Sequence, residues 1–161
     1  MIEGAADVKI STKGRYAARA MFELASREGN APLPLNVIAD AQDISVKYLE
    51  RIMTALAADG LIGSSRGRQG GYFLVRSASK IRMLDIIISV ENEVIPVPCL
   101  GDEYCCSSAD TCVTRRIWKE VQGAVVNVLS SYTLADMVRL GSPDGMTPGA
   151  EQHNHSISSE Q

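Results

Sequence analysis

The sequence predicts a mainly α fold carrying a small β-wing, and three observations predict it. Apolar residues recur at helical spacing in successive stretches between 12 and 140. Two of those stretches, 35–42 and 45–59, are separated only by Asp43-Ile44, the tight joint of a helix-turn-helix. A glycine-rich segment with two arginines, 61–75, follows at once and reads as a β-hairpin. Helix pair and hairpin together make a winged helix-turn-helix. A long helix over 113–131 is left over and reads as a dimerisation helix.

Composition sets the frame. With 161 residues, 45% hydrophobic and 22% charged, the chain is long enough for one domain with a real core plus an appended element. No run of about 18 apolar residues occurs, so a membrane-spanning helix is not expected. The opening Met1-Ile-Glu-Gly-Ala-Ala-Asp7 lacks the basic region and apolar core of a signal peptide. A cytoplasmic protein is the expectation, with thiols reduced or metal-bound rather than paired in structural disulfides. The net charge of −3 divides unevenly: residues 1–82 carry +4 and residues 83–161 carry −7. A basic N-terminal half on an acidic chain suggests a local polyanion-binding face, with scatter in small counts as the plain alternative.

The first helix is expected over 12–28. Tyr16, Ala17, Ala20, Met21, Leu24 and Ala25 form its stripe, Thr12 is its N-cap and Gly29 its stop. Ala31-Pro-Leu-Pro34 cannot continue a helix and reads as a linker. In the next helix Val37, Ile38 and Ala41 supply the inner face. In the one after it Tyr48, Leu49, Ile52, Met53 and Leu56 do so. Ser45 is its N-cap, Gly60 takes the left-handed position that ends it, and Leu61 folds back on Leu56.

The residues of that helix facing away from the core are Val46, Lys47, Glu50, Arg51 and Thr54. Lys47, Tyr48, Glu50 and Arg51 at its N-terminal end are the candidate DNA-contacting residues. Lys47, Glu50 and Arg51 could read base edges, since arginine suits guanine and a carboxylate accepts from cytosine, while Lys47 could equally meet phosphate. The strands 61–65 and 71–75 flank Arg66-Gly-Arg-Gln-Gly70, whose glycines permit a tight turn. Arg66 and Arg68 can meet phosphate or enter a narrow minor groove. A merely solvated hairpin tip is the alternative; the order of elements favours the wing.

Met83–Asn92 reads as a short helix with Leu84, Ile87, Ile88 and Val90 inward or partly so, followed by an extended, proline-broken Val94–Pro98. The long helix bears Ile117, Val121, Ala124, Val125, Val128, Leu129 and Tyr132 on one stripe. Such a face needs a partner, and a second subunit is the simplest one; packing back on its own domain is the alternative. Thr133-Leu-Ala-Asp136 has the form of a capping box opening a last helix through Leu140. From Gly141 on the composition is that of a disordered tail, with His153 and His155 in it as stray metal-ligand types. The expected organisation is thus a DNA-binding domain over 8–82, a cysteine loop and dimerisation helix over 83–140, and a tail over 141–161.

All four cysteines, Cys99, Cys105, Cys106 and Cys112, fall in one stretch with the spacing C-x5-C-C-x5-C. Zinc sites usually bring ligand pairs two to four residues apart, so structural zinc is the weaker reading. Iron–sulfur clusters take thiolates at wider spacings, and clustered free thiols remain as a third possibility. Spacing alone favours iron–sulfur only slightly.

Taken together these features resemble the IscR/NsrR-type family of winged-helix iron–sulfur transcription regulators, over roughly residues 8–140. The carriers are Lys9-Ile-Ser-Thr-Lys-Gly-Arg-Tyr-Ala17, Ile44-Ser-Val-Lys-Tyr-Leu-Glu50, Gly60-Leu-Ile62, Ser65-Arg-Gly-Arg-Gln-Gly-Gly-Tyr72, and the cysteine loop ending Cys112-Val-Thr-Arg-Arg-Ile-Trp118. The resemblance implies a homodimer on a palindromic double-stranded DNA operator, with one iron–sulfur cluster (2Fe-2S or 4Fe-4S) per subunit. Cys99 and Cys112 match the first and third cysteine ligands. The middle one is Cys105 if the first gap is kept and Cys106 if the second is. The family's usual fourth ligands are absent: Arg115 stands in place of a histidine and Arg15 in place of a carboxylate. Arginine stays protonated and cannot ligate. Either both neighbouring cysteines ligate, or three thiolates hold a four-iron cluster whose last iron takes another ligand, with Asp102, Glu103 and Asp110 nearby.

The expected function is a regulator whose operator binding is controlled by the cluster, sensing iron–sulfur, redox or nitric oxide status. The alternative on the same scaffold is a cluster-free regulator that senses oxidants through its thiols or binds a partner protein. Enzymatic activity is not expected, because no acid/base pair or nucleophile triad stands out and no histidine lies in the folded region.

Overall fold

The order of elements is α1 (Thr12–Ala25), α2 (Leu35–Gln42), α3 (Val46–Ala58), β1 (Ile62–Ser65), β2 (Gly71–Leu74), α4 (Met83–Glu91), α5 (Val113–Ser131) and α6 (Leu134–Gly141). Short 3-10 turns at Ala78–Lys80 and Pro98–Leu100 join them. The structure is a computed structural model that describes residues 11–91, 94, 97–100 and 108–142. Asn92, Asp102, Glu103, Cys105, Cys106, His153, His155 and nearly all of the expected tail lie outside the described residues.

Helix α1 is the hub, with α2, α3, α4 and α6 packed around it. Its N-cap is Ser11 rather than Thr12: the Gly14 N–H donates to the Ser11 hydroxyl at 3.2 Å. An N-cap serves the third helical amide, and with Thr12 as the first helical residue that register belongs to Ser11. The same hydroxyl donates to Glu91, and Lys13 donates to the Val90 carbonyl, so the start of α1 is tied to the end of α4. Helix α1 also stops at Ala25, sooner than position 28. Arg27 and Glu28 donate to Leu24 and Ala25 at 3.2 and 3.1 Å, the tighter three-residue bonds that close a helix, and Gly29 follows at φ 85°.

Helix α2 keeps its expected bounds but not its expected inner face. Ile38 and Ala39 are buried and Ala41 is exposed. Ala41 lies roughly 200° round the helix from Ala39, on the solvent side. Asp43 ends the helix in the left-handed region (φ 51°), and Ile44 donates back to Ala39 at 3.0 Å. Helix α3 matches expectation more fully. The Ser45 hydroxyl accepts from Tyr48 N–H at 3.4 Å, and Leu49, Ile52, Met53 and Leu56 are wholly buried. At its end Gly60 sits at φ 67°, and Gly60 and Leu61 donate to Ala57 and Leu56, both at 3.0 Å. This paired-bond stop turns the chain straight from α3 into the hairpin.

β1 and β2 pair antiparallel, with Ile62 opposite Leu74 and Ser65 opposite Gly71. The proline-flanked 31–34 segment is more than a linker. Leu33 and Tyr72 exchange both backbone hydrogen bonds at 2.9 Å, so Leu33 hangs the hairpin on the helical body as a one-residue third strand. Gly71 allows that approach, since a Cβ there would stand 2.4 Å from the Leu33 backbone.

Helix α4 buries Ile86, Ile87, Ser89 and Val90, while Ile88 is 43% exposed, so the expected inner set needs correcting at Ile88 and Ile86. In an Ile86-Ile87-Ile88 run hydrophobicity alone does not fix which face is inside; the Ile86–Val90 spacing of four does. Helix α6 returns to this core. Thr133 and Asp136 form the expected capping box, Leu134 is wholly buried, and Leu134 N–H donates to the Ile81 carbonyl at 2.9 Å. Helix α5 differs from all of these: at 19 residues it is the longest described helix, and none of its residues is buried.

Candidate functional site

The face of α3 opposite the core is free. Lys47, Glu50 and Arg51 are exposed, as is Val46, and Thr54 bonds back to the Glu50 carbonyl at 2.8 Å. Arg66 and Arg68 are exposed at the hairpin tip, and β1, which leads to that tip, packs on α3. Among the described residues, Lys47, Arg51, Arg66 and Arg68 have no carboxylate partner. Unpaired cations on a projecting helix end and hairpin can neutralise phosphates without first breaking an internal ion pair.

Tyr48 stands apart from this set. It is half-buried, and its ring meets Tyr16 edge-on at 5.8 Å. The Arg19 guanidinium lies 5.5 Å from the Tyr16 ring centre on α1. Most of the Tyr48 side chain therefore serves the α1–α3 contact, leaving its partial exposure beside Lys47.

A polar lock that sequence reasoning missed fixes the joint between α2 and α3. Arg19 donates to the Gln42 side-chain and backbone oxygens at 2.7 and 2.5 Å, and the Gln42 amide donates to Glu23 at 2.5 Å. The only available signal was the four-residue spacing of Arg19 and Glu23, which places both on one face of α1. Nothing in the sequence marked Gln42 as their target.

The described part of the cysteine stretch gives two thiols. Cys99 sits in the 3-10 turn Pro98–Leu100 and Cys112 immediately before α5; both are free and half-buried. The turn packs on α5, and Gln122 of α5 donates to the Val94 carbonyl at 3.0 Å, so the Cys99 segment is held against the helix that Cys112 begins. Cys112 Sγ lies 3.2 Å from the Thr114 hydroxyl. That hydroxyl first, then the Arg115 backbone N–H, and lastly the Arg115 charge hold the Cys112 thiol below its ordinary range, against a smaller opposing effect of burial. A thiol biased toward thiolate is a better metal ligand and a better nucleophile.

Arg115 itself is half-buried, and its Nε is buried with no hydrogen-bond partner among the described residues. Asp110 is exposed in the turn before Cys112, and Arg15 donates to the Thr12 hydroxyl at 3.2 Å. Among the described residues no group of three or more metal-ligating side chains comes together. The middle pair, Cys105 and Cys106, falls outside them.

The fold has counterparts among known proteins. The model of a family described as Rrf2, iron-dependent transcriptional regulator, matches residues 10–140. The HTH-type transcriptional regulator IscR of Photorhabdus laumondii is 36% identical over 131 residues, which is 81% of this chain and 79% of that protein. The solved structure of T. potens IscR aligns at a TM-score of 0.73 and 38% identity, covering 91% of this chain and 97% of that one. CymR, titled the global cysteine regulator of B. subtilis, aligns at a TM-score of 0.68 and 40% identity, covering 81% and 95%.

Proposed function

This chain belongs to the Rrf2 family of DNA-binding transcriptional regulators, and from that premise we propose that it is a homodimer whose grip on a palindromic operator is controlled by an iron–sulfur cluster. It is a regulator and not an enzyme, as its relatives are. In this reading residues 8–82 dock on DNA, residues 83–140 sense and dimerise, and the protein works in the cytoplasm. No described helix is long and apolar enough to cross a membrane.

The single observation that carries the proposal is the seating of the Cys99 turn against α5 at the helix that Cys112 opens. The residues present fit an anionic, sulfur-ligated group: two half-buried free thiols, one biased toward thiolate, and a buried N–H on Arg115 without a partner among the described residues. Cys99, Cys112 and one or both of Cys105 and Cys106 would hold it. When bound, the cluster supplies iron–sulfur bonds that oxidants, nitric oxide or iron shortage can break.

The chain's own residues then do the rest. Ligation at Cys99 and Cys112 ties the turn to the start of α5. Helix α5 packs on α4, and α4 on both α1 and α3, so a reset of α5 reaches the DNA-facing helix through continuous packing. The stripe Ile117, Val121, Ala124, Val125, Val128, Leu129 and Tyr132 seats α5 on its counterpart in the second subunit. Lys47, Glu50 and Arg51 face base edges with Tyr48 at the margin, while Arg66 and Arg68 meet phosphate or the minor groove. Changing the angle between subunits changes the spacing of the two α3 helices and thus the fit to both half-sites.

The test is anaerobic reconstitution with iron and sulfide, followed by operator binding of the loaded and stripped forms at one salt concentration. The loaded protein is expected to be brown and to differ from the stripped form in affinity or operator choice. Identical binding by the two forms would refute the control, and a colourless protein without iron would refute the cluster.

One observation favours a second reading, thiol sensing without a cluster. Cys112 is biased toward thiolate, and CymR, the global cysteine regulator of B. subtilis, shares this fold at 40% identity. Cys105 and Cys106 would then join it as the oxidisable set.

A further inference from the structure

The position that breaks the ligand pattern has a use of its own. Cys112 is the N-cap of α5 and Arg115 its third helical residue, so both stand on the same side of the helix start. The first turn of α5 carries no acidic residue, and Arg116 follows Arg115. Arg115 Nε is buried without a partner among the described residues. A buried, permanently protonated donor without an acceptor is costly to keep, so the position suits a negative group that the described residues do not supply.

Resting on the reading proposed above, we infer that Arg115 is the charge partner of the sulfur site. Its guanidinium donates an N–H bond to a ligated thiolate or to sulfide of the cluster, and it supplies positive charge rather than a fourth ligand. A ligating histidine at this place would bring a neutral nitrogen to iron. Arg115 instead leaves one coordination position to another group and offsets the charge of an all-sulfur set. Hydrogen bonds to sulfur and nearby positive charge favour the more negative, reduced state of such a cluster and raise its reduction potential. Arg115 is thus a positioning and tuning residue.

The experiment compares the full-length wild type with Arg115→Gln and Arg115→Lys after anaerobic reconstitution. Iron and sulfide content, the electron-resonance spectrum, and an equilibrium titration with dithionite as electron donor are read for each. The expected result is a reduction potential that falls in Arg115→Gln and is partly restored in Arg115→Lys, with a matching shift of the resonance signal. Loss of iron from Arg115→Gln with retention in Arg115→Lys would support the same role, because lysine keeps the positive charge that glutamine lacks. Equal potentials and spectra in three cluster-bearing proteins would overturn the inference while leaving the cluster reading intact. Loss of iron from both variants, with wild type loaded, would assign Arg115 to packing and also overturn it. Iron-free wild type would overturn the cluster reading itself, and this inference with it.

Discussion

Helices α3 and α5 are both amphipathic, yet they end in opposite situations. Helix α3 has 13 residues and four wholly buried side chains, whereas α5 has 19 residues and none. On α3 the apolar stripe meets α1, α2 and α4 of its own chain. On α5 the stripe meets α4 and the Cys99 turn along part of its length, and Ile117, Val128 and Tyr132 stay 54%, 57% and 45% exposed. An apolar face completed within the chain makes stability; one left open makes an interface or a hinge. The two helices thus differ in kind, α3 fixed within the body and α5 left with an apolar face that its own chain does not cover.

The sharpest way to break the comparison is on α3. Leu49→Ala should cost about 2–5 kcal/mol, because it opens a cavity where no solvent reaches. Thermal unfolding would show it as a single large fall in Tm. A loss under about 1 kcal/mol, the range of a surface change, would mean that the α3 face is no more closed than that of α5. On α5 the expected damage is of another kind. The double change Ile117→Glu and Val128→Glu should leave the unfolding of the body nearly unchanged and shift the protein from dimer to monomer in sedimentation equilibrium. A stable dimer in that variant would place the partner of α5 elsewhere.

The smallest effect belongs to the junction between α5 and the body. Removing the cap by Thr133→Ala should cost about 1 kcal/mol. It also has a signature in pH. The Thr133 hydroxyl and N–H, with the Arg139 charge after them, hold the Asp136 carboxyl below its ordinary range. A depressed carboxyl stabilises the fold above its unfolded pKa, and the gain is lost as pH falls through the folded value. Thr133→Ala should therefore flatten the acid limb of the stability profile, measured by denaturant titration between neutral pH and the acid range. An unchanged slope would show that the box contributes nothing to linkage.

What could be read from the sequence was local chemistry. The Ser45 cap, the Gly60–Leu61 stop and the Thr133–Asp136 box each rest on residues a few positions apart, and each is found in the structure. The arginine-bearing hairpin followed for the same reason. Long-range partners were illegible. Leu33 gives no sign that it will pair with Tyr72, Gln42 none that Arg19 will seize it, and an all-isoleucine run hides which of Ile86 and Ile88 turns inward. The candidate site shows the same split. Spacing singled out the four cysteines, and the family resemblance the anomaly at Arg115. Only the folded chain shows Cys99's turn lying against α5 and the Arg115 Nε left without an acceptor.

The one-residue strand at Leu33 carries a last consequence. Both of its hydrogen bonds are spent on Tyr72, and in an extended chain the flanking residues point their backbone groups the other way. Those residues are Pro32 and Pro34, which have no N–H to offer, and the Pro34 carbonyl already accepts from Val37 and Ile38. The Leu33 segment therefore presents no further donor to a passing strand on that edge of the sheet. A hairpin left on the surface is thereby blunted, along its Leu33 edge, against pairing with a strand of a neighbouring molecule, which favours solubility there.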